Sequence, residues 1–210
     1  MTGLFITFEG LDGTGKTTQI HELERRLSES GIPYIKTREP GGTPIAEKVR
    51  DIILDPKNIE MCFEAEALLY AASRAQHVSE VIKPALEMGK VVICDRYFDS
   101  TLAYQGYARE LEIDDLYKIN NFAMQDVKPE LTFLLDIPAD ETTERINTRE
   151  LDRLDLEEMD FKKRVRAGFL KIAAFEKERV MVINASLEIE EITEIIWEKT
   201  LEILKDKRTD

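Results

Sequence analysis

Eight residues carry the strongest chemical signal in the chain. Gly10-Leu11-Asp12-Gly13-Thr14-Gly15-Lys16-Thr17 fits the spacing G-x-x-x-x-G-K-[ST] at every fixed position. Glycines permit a tight turn that brings several backbone N–H groups around one phosphate. A helix leaving such a turn points its positive end at the same place. Lys16 adds a mobile cation for the β- and γ-phosphates of a nucleoside triphosphate, and Thr17 offers a hydroxyl to Mg²⁺. The chemistry predicted for this segment is binding of ATP with Mg²⁺ for phosphoryl transfer.

A transfer needs an acceptor held in line with the γ-phosphate, so a second anion site is expected. Arg38 lies in the loop after a predicted strand, residues 33–37, and Arg96 directly follows Asp95 at the end of an apolar run, Val91-Val92-Ile93-Cys94. Two guanidiniums leaving the same sheet edge can clamp an acceptor phosphate bidentately. Asp95 itself can hold the Mg²⁺ shell from the C-terminal edge of a parallel sheet, where ligands bind; an isolated Asp after a strand also serves as a turn residue or helix cap. Phe63, Ala67, Tyr70, Arg74 and His77 fall on one helical stripe. Arg74 on that stripe either reads a base edge while Tyr70 stacks on the ring, or snorkels outward beside a core tyrosine. Thr101 and Gln105 are spaced i, i+4, with Tyr104 beside them; they suit the polar edge of a pyrimidine, or else a helix cap and a surface amide.

Short apolar runs alternating with longer amphipathic ones must position these residues. Strands are predicted at 4–8, 33–37, 90–94, 131–137 and 180–184. Helices are predicted at about 15–30, 45–54, 63–88 with a bend near 77–79, 98–106, 114–126, from about 139, at 157–178 and at 188–205, the last with Ile189, Ile192, Ile196 and Leu204 inward. That alternation is an α/β pattern with five strands usable in one parallel sheet. Residues 38–44 contain two Pro and two Gly and must be a loop.

Bulk properties narrow the reading. The chain has 210 residues, 43% hydrophobic and 34% charged, which suits one domain with a sizeable core. A net charge of −13 argues against nucleic acid or an anionic membrane as partner, though not against a small anionic substrate met by a local group of Arg and Lys. No apolar run approaches the roughly 18 residues of a membrane helix, and no secretory leader is expected at the N-terminus. Cys62 and Cys94 are expected to be reduced, buried thiols, as in a cytoplasmic protein. No Asn-Lys-x-Asp guanine signature is present, which disfavours a GTPase switch.

Taken in order, Phe8-Glu9-Gly10-Leu11-Asp12-Gly13, Gly15-Lys16-Thr17-Thr18-Gln19, Arg38-Glu39-Pro40-Gly41-Gly42-Thr43, Arg74-Ala75-Gln76-His77, Asp95-Arg96-Tyr97, Ser100, Ala103-Tyr104-Gln105-Gly106 and Leu151-Asp152-Arg153 resemble the motif set of the thymidylate kinase family. The resemblance implies a P-loop kinase fold: an α/β domain over residues 1–210, with a five-stranded parallel sheet flanked by helices on both faces and a mobile lid at about 149–157. It implies transfer of the ATP γ-phosphate to dTMP, giving dTDP and ADP with Mg²⁺, by a cytoplasmic homodimer. Carried over by position, Tyr70 would stack on thymine, Arg74 would bond O4, and Thr101 and Gln105 would read the remaining polar edge. Tyr104 would crowd the ribose 2′ position, Arg38 and Arg96 would hold the dTMP phosphate, and Asp12 would sit near the sugar hydroxyl and the metal. Leu11, Asp12, Gly13 and Thr14 include no basic residue. The resemblance to bacterial-type members therefore implies that a lid arginine, Arg149 or Arg153, supplies the missing charge, and that Arg145 lies against adenine. The acceptor oxygen is already anionic, so no strong general base is expected.

Overall fold

A computed structural model describes residues 3–143, 153–154 and 156–209. Five strands, β1 (Leu4–Glu9), β2 (Tyr34–Arg38), β3 (Val91–Asp95), β4 (Leu131–Asp136) and β5 (Val180–Asn184), form one sheet in the order β2-β3-β1-β4-β5. Every pairing is parallel. Each strand lies within a residue or so of its expected place.

Strand alternation divides the core. Leu4, Ile6 and Phe8 point to one face, where they pack with Ile20, Leu23 and Leu27 of α1 (Lys16–Glu29) and with Ile192 and Ile196 of the closing helix. Phe5, between them in sequence, points to the other face and joins Val92, Cys94 and Leu134. Each fully buried Phe or Ile of this kind contributes about 1.5–3 kcal/mol. Since both faces of β1 are covered, the loop after it starts from the most constrained strand of the sheet.

The remaining helices, in chain order, are α2 (Pro44–Leu54), α3 (Phe63–His77), α4 (Lys83–Glu87), α5 (Phe98–Thr101), α6 (Ile113–Met124), α7 (Ala139–Thr143), α8 (Met159–Phe175) and α9 (Ile189–Thr209). Thr43 caps α2 by accepting from the Ala46 N–H at 3.2 Å. The expected bend after α3 is a π-helical stretch, Val78–Ile82. Pro84 lies just beyond it; proline has no N–H to donate and its ring clashes with the carbonyl four residues back, which widens the turn. A second π-helical stretch, Leu102–Ala108, extends α5 through the predicted acceptor residues; a 3.6-residue period does not foresee it.

Two side chains depart from expectation. Cys62 is exposed rather than buried, because it sits at the N-cap of α3 where the chain leaves a loop. Ile189 is 57% exposed at the first turn of α9, while Ile192 and Ile196 are buried. No helix among the described residues is long and apolar enough to cross a membrane.

Candidate active site

The C-terminal ends of β1, β2 and β3 lie level. In the register, Asp95 pairs with Phe8 on one side and with Arg38 on the other. One cavity of about 800 Å³ opens over this edge. It is lined by Leu11 through Gln19 from the loop and first turn after β1, by Arg38 at the end of β2, by Asp95 at the end of β3 and Arg96 just after it, by Tyr70 and Arg74 of α3, and by Thr101, Tyr104 and Gln105. Every predicted nucleotide and acceptor residue within the described chain is thus on one cavity, apart from Gly10 and Arg153.

The loop is built by its glycines. Gly10, Gly13 and Gly15 have φ of 133°, 81° and 93°. At Gly10 a Cβ would stand 2.4 Å from the Leu135 carbonyl oxygen of the neighbouring strand, so both space and backbone demand glycine. Gly15 caps α1 in the left-handed conformation, which aims the helix N-terminus into the cavity. Lys16 is 5% exposed and folds back to donate to the carbonyls of Gly10 (3.1 Å) and Leu11 (2.9 Å), with Asp12 at 3.6 Å. Burial, then Arg96, lowers its pKa; Asp12, Asp95 and Glu9 work against that shift. Thr17 is exposed at the first turn of α1.

Arg96 is anchored from several sides. Its backbone has φ 67°, uncommon for a residue with a side chain. Its guanidinium donates to Asp12 Oδ1 at 2.9 Å and to Ser100 Oγ at 3.2 Å, and lies 5.4 Å from the Tyr104 ring centroid. Burial works against its charge, but Tyr104, Asp12, Asp95 and Glu9 hold its pKa well above the usual value. Beneath it, Ser100 Oγ donates to Glu9 Oε2 at 2.6 Å, and Glu9 Oε1 accepts from the N–H groups of Tyr97 (2.7 Å) and Ser100 (3.3 Å). A carboxylate from β1 therefore caps α5, which has no side-chain cap of its own. Burial and then Asp99 push Glu9 up to about 7.

Arg74 does not snorkel: it is 1% exposed. Its Nε donates to Glu39 at 2.8 Å, its Nη1 to Thr101 Oγ1 at 3.3 Å and, in a short contact, to Asn120 Oδ1, and its guanidinium lies 5.1 Å from the Tyr97 ring centroid. Glu39 also meets His77 Nδ1 at 3.0 Å, and His77 Nε2 meets Thr37 at 2.6 Å. Arg38 is looser, 49% exposed and paired with Glu47 at 2.9 Å.

Arg153, expected as a lid arginine, does not line the cavity in this conformation. Its Nε donates to the Ile53 carbonyl at 2.8 Å, its backbone N–H to Leu54 at 3.1 Å, and its Nη2 pairs closely with the buried Glu66. A buried carboxylate attracts a guanidinium strongly when no phosphate competes for it. Arg145, Arg149 and Asp152 lie outside the described residues.

Several cavity residues escaped the sequence reading. Arg50 lines the acceptor end and donates to the Pro40 carbonyl at 2.8 Å. Ala185, Ser186, Leu187 and Glu188, after β5, line the end beside Gln19. Glu9 had a usable signal, namely a carboxylate closing an otherwise apolar strand. Asn120 had none, since its partner is remote in sequence.

Asp95 Oδ1 is buried and has no hydrogen-bond partner among the described residues. An orphaned carboxylate oxygen at the strand end, beside Lys16 and the loop, fits a hard divalent cation.

A parallel sheet with a phosphate loop after its central strand, and a second set of guanidiniums over the same edge, defines a P-loop nucleotide kinase. The comparisons give the family. The family model described as thymidylate kinase matches residues 8–196. Thymidylate kinases of Oceanobacillus iheyensis (51% identical; 97% of this chain, 90% of the relative) and Clostridium novyi (50%; 91% and 95%) align over nearly their whole length. The crystal structure of thymidylate kinase from Ehrlichia chaffeensis superposes with a TM-score of 0.78 at 35% identity, covering 95% of this chain and 100% of that one. The chain belongs to the thymidylate kinase family.

Proposed function

We propose that this chain transfers the γ-phosphate of ATP to the phosphate of dTMP, giving dTDP and ADP. The observation that carries the reading is the single cavity with Lys16 and its loop at one end and Arg74, Tyr70, Thr101 and Gln105 at the other, with Arg96 between them.

The ATP phosphates sit in the N–H cradle of residues 10–17, and Lys16 exchanges its two carbonyl partners for phosphate oxygens. Arg96, already oriented by Asp12 and Ser100, receives the acceptor phosphate with Arg38; Arg50, on the same wall, is a third cation for it. Tyr70 stacks on the base, Arg74 donates to O4, Thr101 and Gln105 meet the remaining edge, and Tyr104 closes the space beside the sugar 2′ position. Adenine lies along residues 185–189, with Arg145 against it. Thr17 and Asp95 hold Mg²⁺, which when bound neutralises phosphate charge. Lys16, Arg96 and a lid arginine, Arg149 or Arg153, stabilise the charge of transfer; Arg153 first has to leave Glu66. Positioning and neutralisation supply the catalysis.

The whole chain acts as one catalytic domain with its lid at about 149–157. A cytoplasmic homodimer is the assembly that the family resemblance implies; exposed Ile52, Leu68 and Phe122, on α2, α3 and α6, supply apolar surface for it.

A coupled ADP-release assay with ATP and Mg²⁺ tests the reading. Turnover is expected with dTMP and not with thymidine; dUMP competes within about 1–3 kcal/mol, the worth of one methyl group. ADP release with thymidine but not dTMP, or with no acceptor at all, would refute it.

A further inference from the structure

Glu66 stands one turn before Tyr70 and two before Arg74 on α3, yet it faces no solvent: its exposure is 0%. It accepts from Gln105 Nε2 at 2.7 Å, from Arg109 at 3.4 and 3.5 Å, and from Arg153. Two guanidiniums keep this buried carboxylate compensated. A carboxylate oxygen facing an amide accepts only, so it takes the NH₂ end. The Gln105 amide is thereby fixed in one of its two orientations. Its Oε1 has no bond to a described residue, and Gln105 lines the acceptor end of the cavity.

We propose that Glu66 is the positioning residue of acceptor-base selection: it commits the Gln105 amide to present its carbonyl to the base. Together with Arg74, which only donates, the site then offers one donor and one acceptor. A thymine or uracil edge, with O4 accepting and N3–H donating, matches both. A cytosine edge, with an amino group donating and N3 accepting, opposes both. This inference rests on the functional reading above. It adds what that reading lacks, namely why a residue with a reversible amide discriminates at all.

The test is steady-state kinetics of the full chain with dTMP and dCMP for wild type, Glu66→Gln, Gln105→Ala and the double variant. A glutamine at 66 can offer either end of its own amide, so Gln105 is free to turn. The dTMP-over-dCMP ratio of kcat/KM is expected to fall at least about tenfold in Glu66→Gln. The change should lie in the KM for each acceptor, with the KM for ATP unchanged. In the Gln105→Ala background the same substitution should leave the ratio within about twofold, because its target is gone. A Glu66→Gln enzyme with the wild-type ratio overturns the proposal, as does an equal fall in both backgrounds. Wild type that does not turn over dTMP at all refutes the functional reading, and this inference with it. Should Glu66→Gln fail to fold, the wild-type protein still decides. The Gln105 side-chain amide resonance, assigned by its loss in Gln105→Ala, should be protected from exchange both with and without dTMP. Protection that appears only with dTMP would mean that the amide donates to the base, and would overturn the proposal.

Discussion

Glu9→Gln should make the protein less sensitive to pH, by an amount the structure fixes. Glu9 is fully buried beneath α5, and burial, reinforced by Asp99, raises its pKa from 4.5 to about 7; Arg96, Ser100 and the Tyr97 N–H oppose the rise without cancelling it. A carboxyl that keeps its proton longer when folded makes the folded state the greater proton binder between those two values. Its stabilising contribution is therefore complete below pH 4.5 and is lost as pH rises through 7. The full loss amounts to about 3 kcal/mol. Glutamine has the same shape and no charge. Its oxygen can take the two N–H donors of α5, and its amide can donate to Ser100 Oγ, which turns from donor to acceptor. Urea unfolding of both proteins at about pH 5 and about pH 8 measures the difference, since every other titration is common to both. The variant should gain up to about 3 kcal/mol relative to wild type across that interval, roughly 1.5 M in midpoint at an m-value of about 2 kcal/mol/M. Parallel curves for the two proteins would show that Glu9 titrates alike in folded and unfolded chains, and would refute the reasoning.

Three further outcomes are expected. Asp95→Asn should raise the Mg²⁺ concentration needed for half-maximal turnover and lower kcat, because the orphaned oxygen loses its charge; an unchanged Mg²⁺ titration would remove Asp95 from the metal site. Arg96→Ala should reduce turnover by a factor on the order of 10² to 10³ with ATP binding retained, read from kcat and from nucleotide titration; a normal rate would take Arg96 out of the acceptor site. Gly10→Ala should abolish ATP binding and lower the melting temperature, since a methyl group there meets Leu135 at 2.4 Å; binding at wild-type affinity would show that the loop can shift to admit it.

Four strands were legible because each is a short apolar run, and β1, β3 and β4 are buried along nearly their whole length; β2, with Lys36 and Arg38 in it, was legible from its place between Pro33 and the Pro- and Gly-rich loop. The phosphate loop was legible because its backbone demands fix residue types at fixed spacing. The order of the strands was not, since local pattern carries no information on which strand lies beside which. The π-helical stretch that carries Tyr104 and Gln105 was read as ordinary helix, because a widened turn changes no residue type. Glu66 and Asn120 show the wider limit. In sequence Glu66 is one more acidic residue in the first turn of a helix, and only the packing of α3 against Leu102–Ala108 turns it into a shared partner of Gln105 and Arg153. Arg153 matched a lid pattern by position, but its surroundings are set by a carboxylate 87 residues away.

Phe8, Asp95 and Arg38 occupy one row across three hydrogen-bonded strands. Neighbouring strands are about 4.8 Å apart, so the acceptor-side exits at β3 and β2 stand about 5 and about 10 Å from the donor exit at β1 whatever the loops do. The sheet is in effect a gauge block between two phosphates. Insertions in the loops after β2 or β3 can change which nucleotide is welcomed, yet they leave the spacing of the strand ends alone. A one-residue slip of β3, by contrast, would carry Asp95 and Arg96 out of line together and reverse the faces of Val92 and Ile93. Drift in what this scaffold accepts is thus cheap, whereas drift in how far a phosphoryl group must travel is penalised by the core itself.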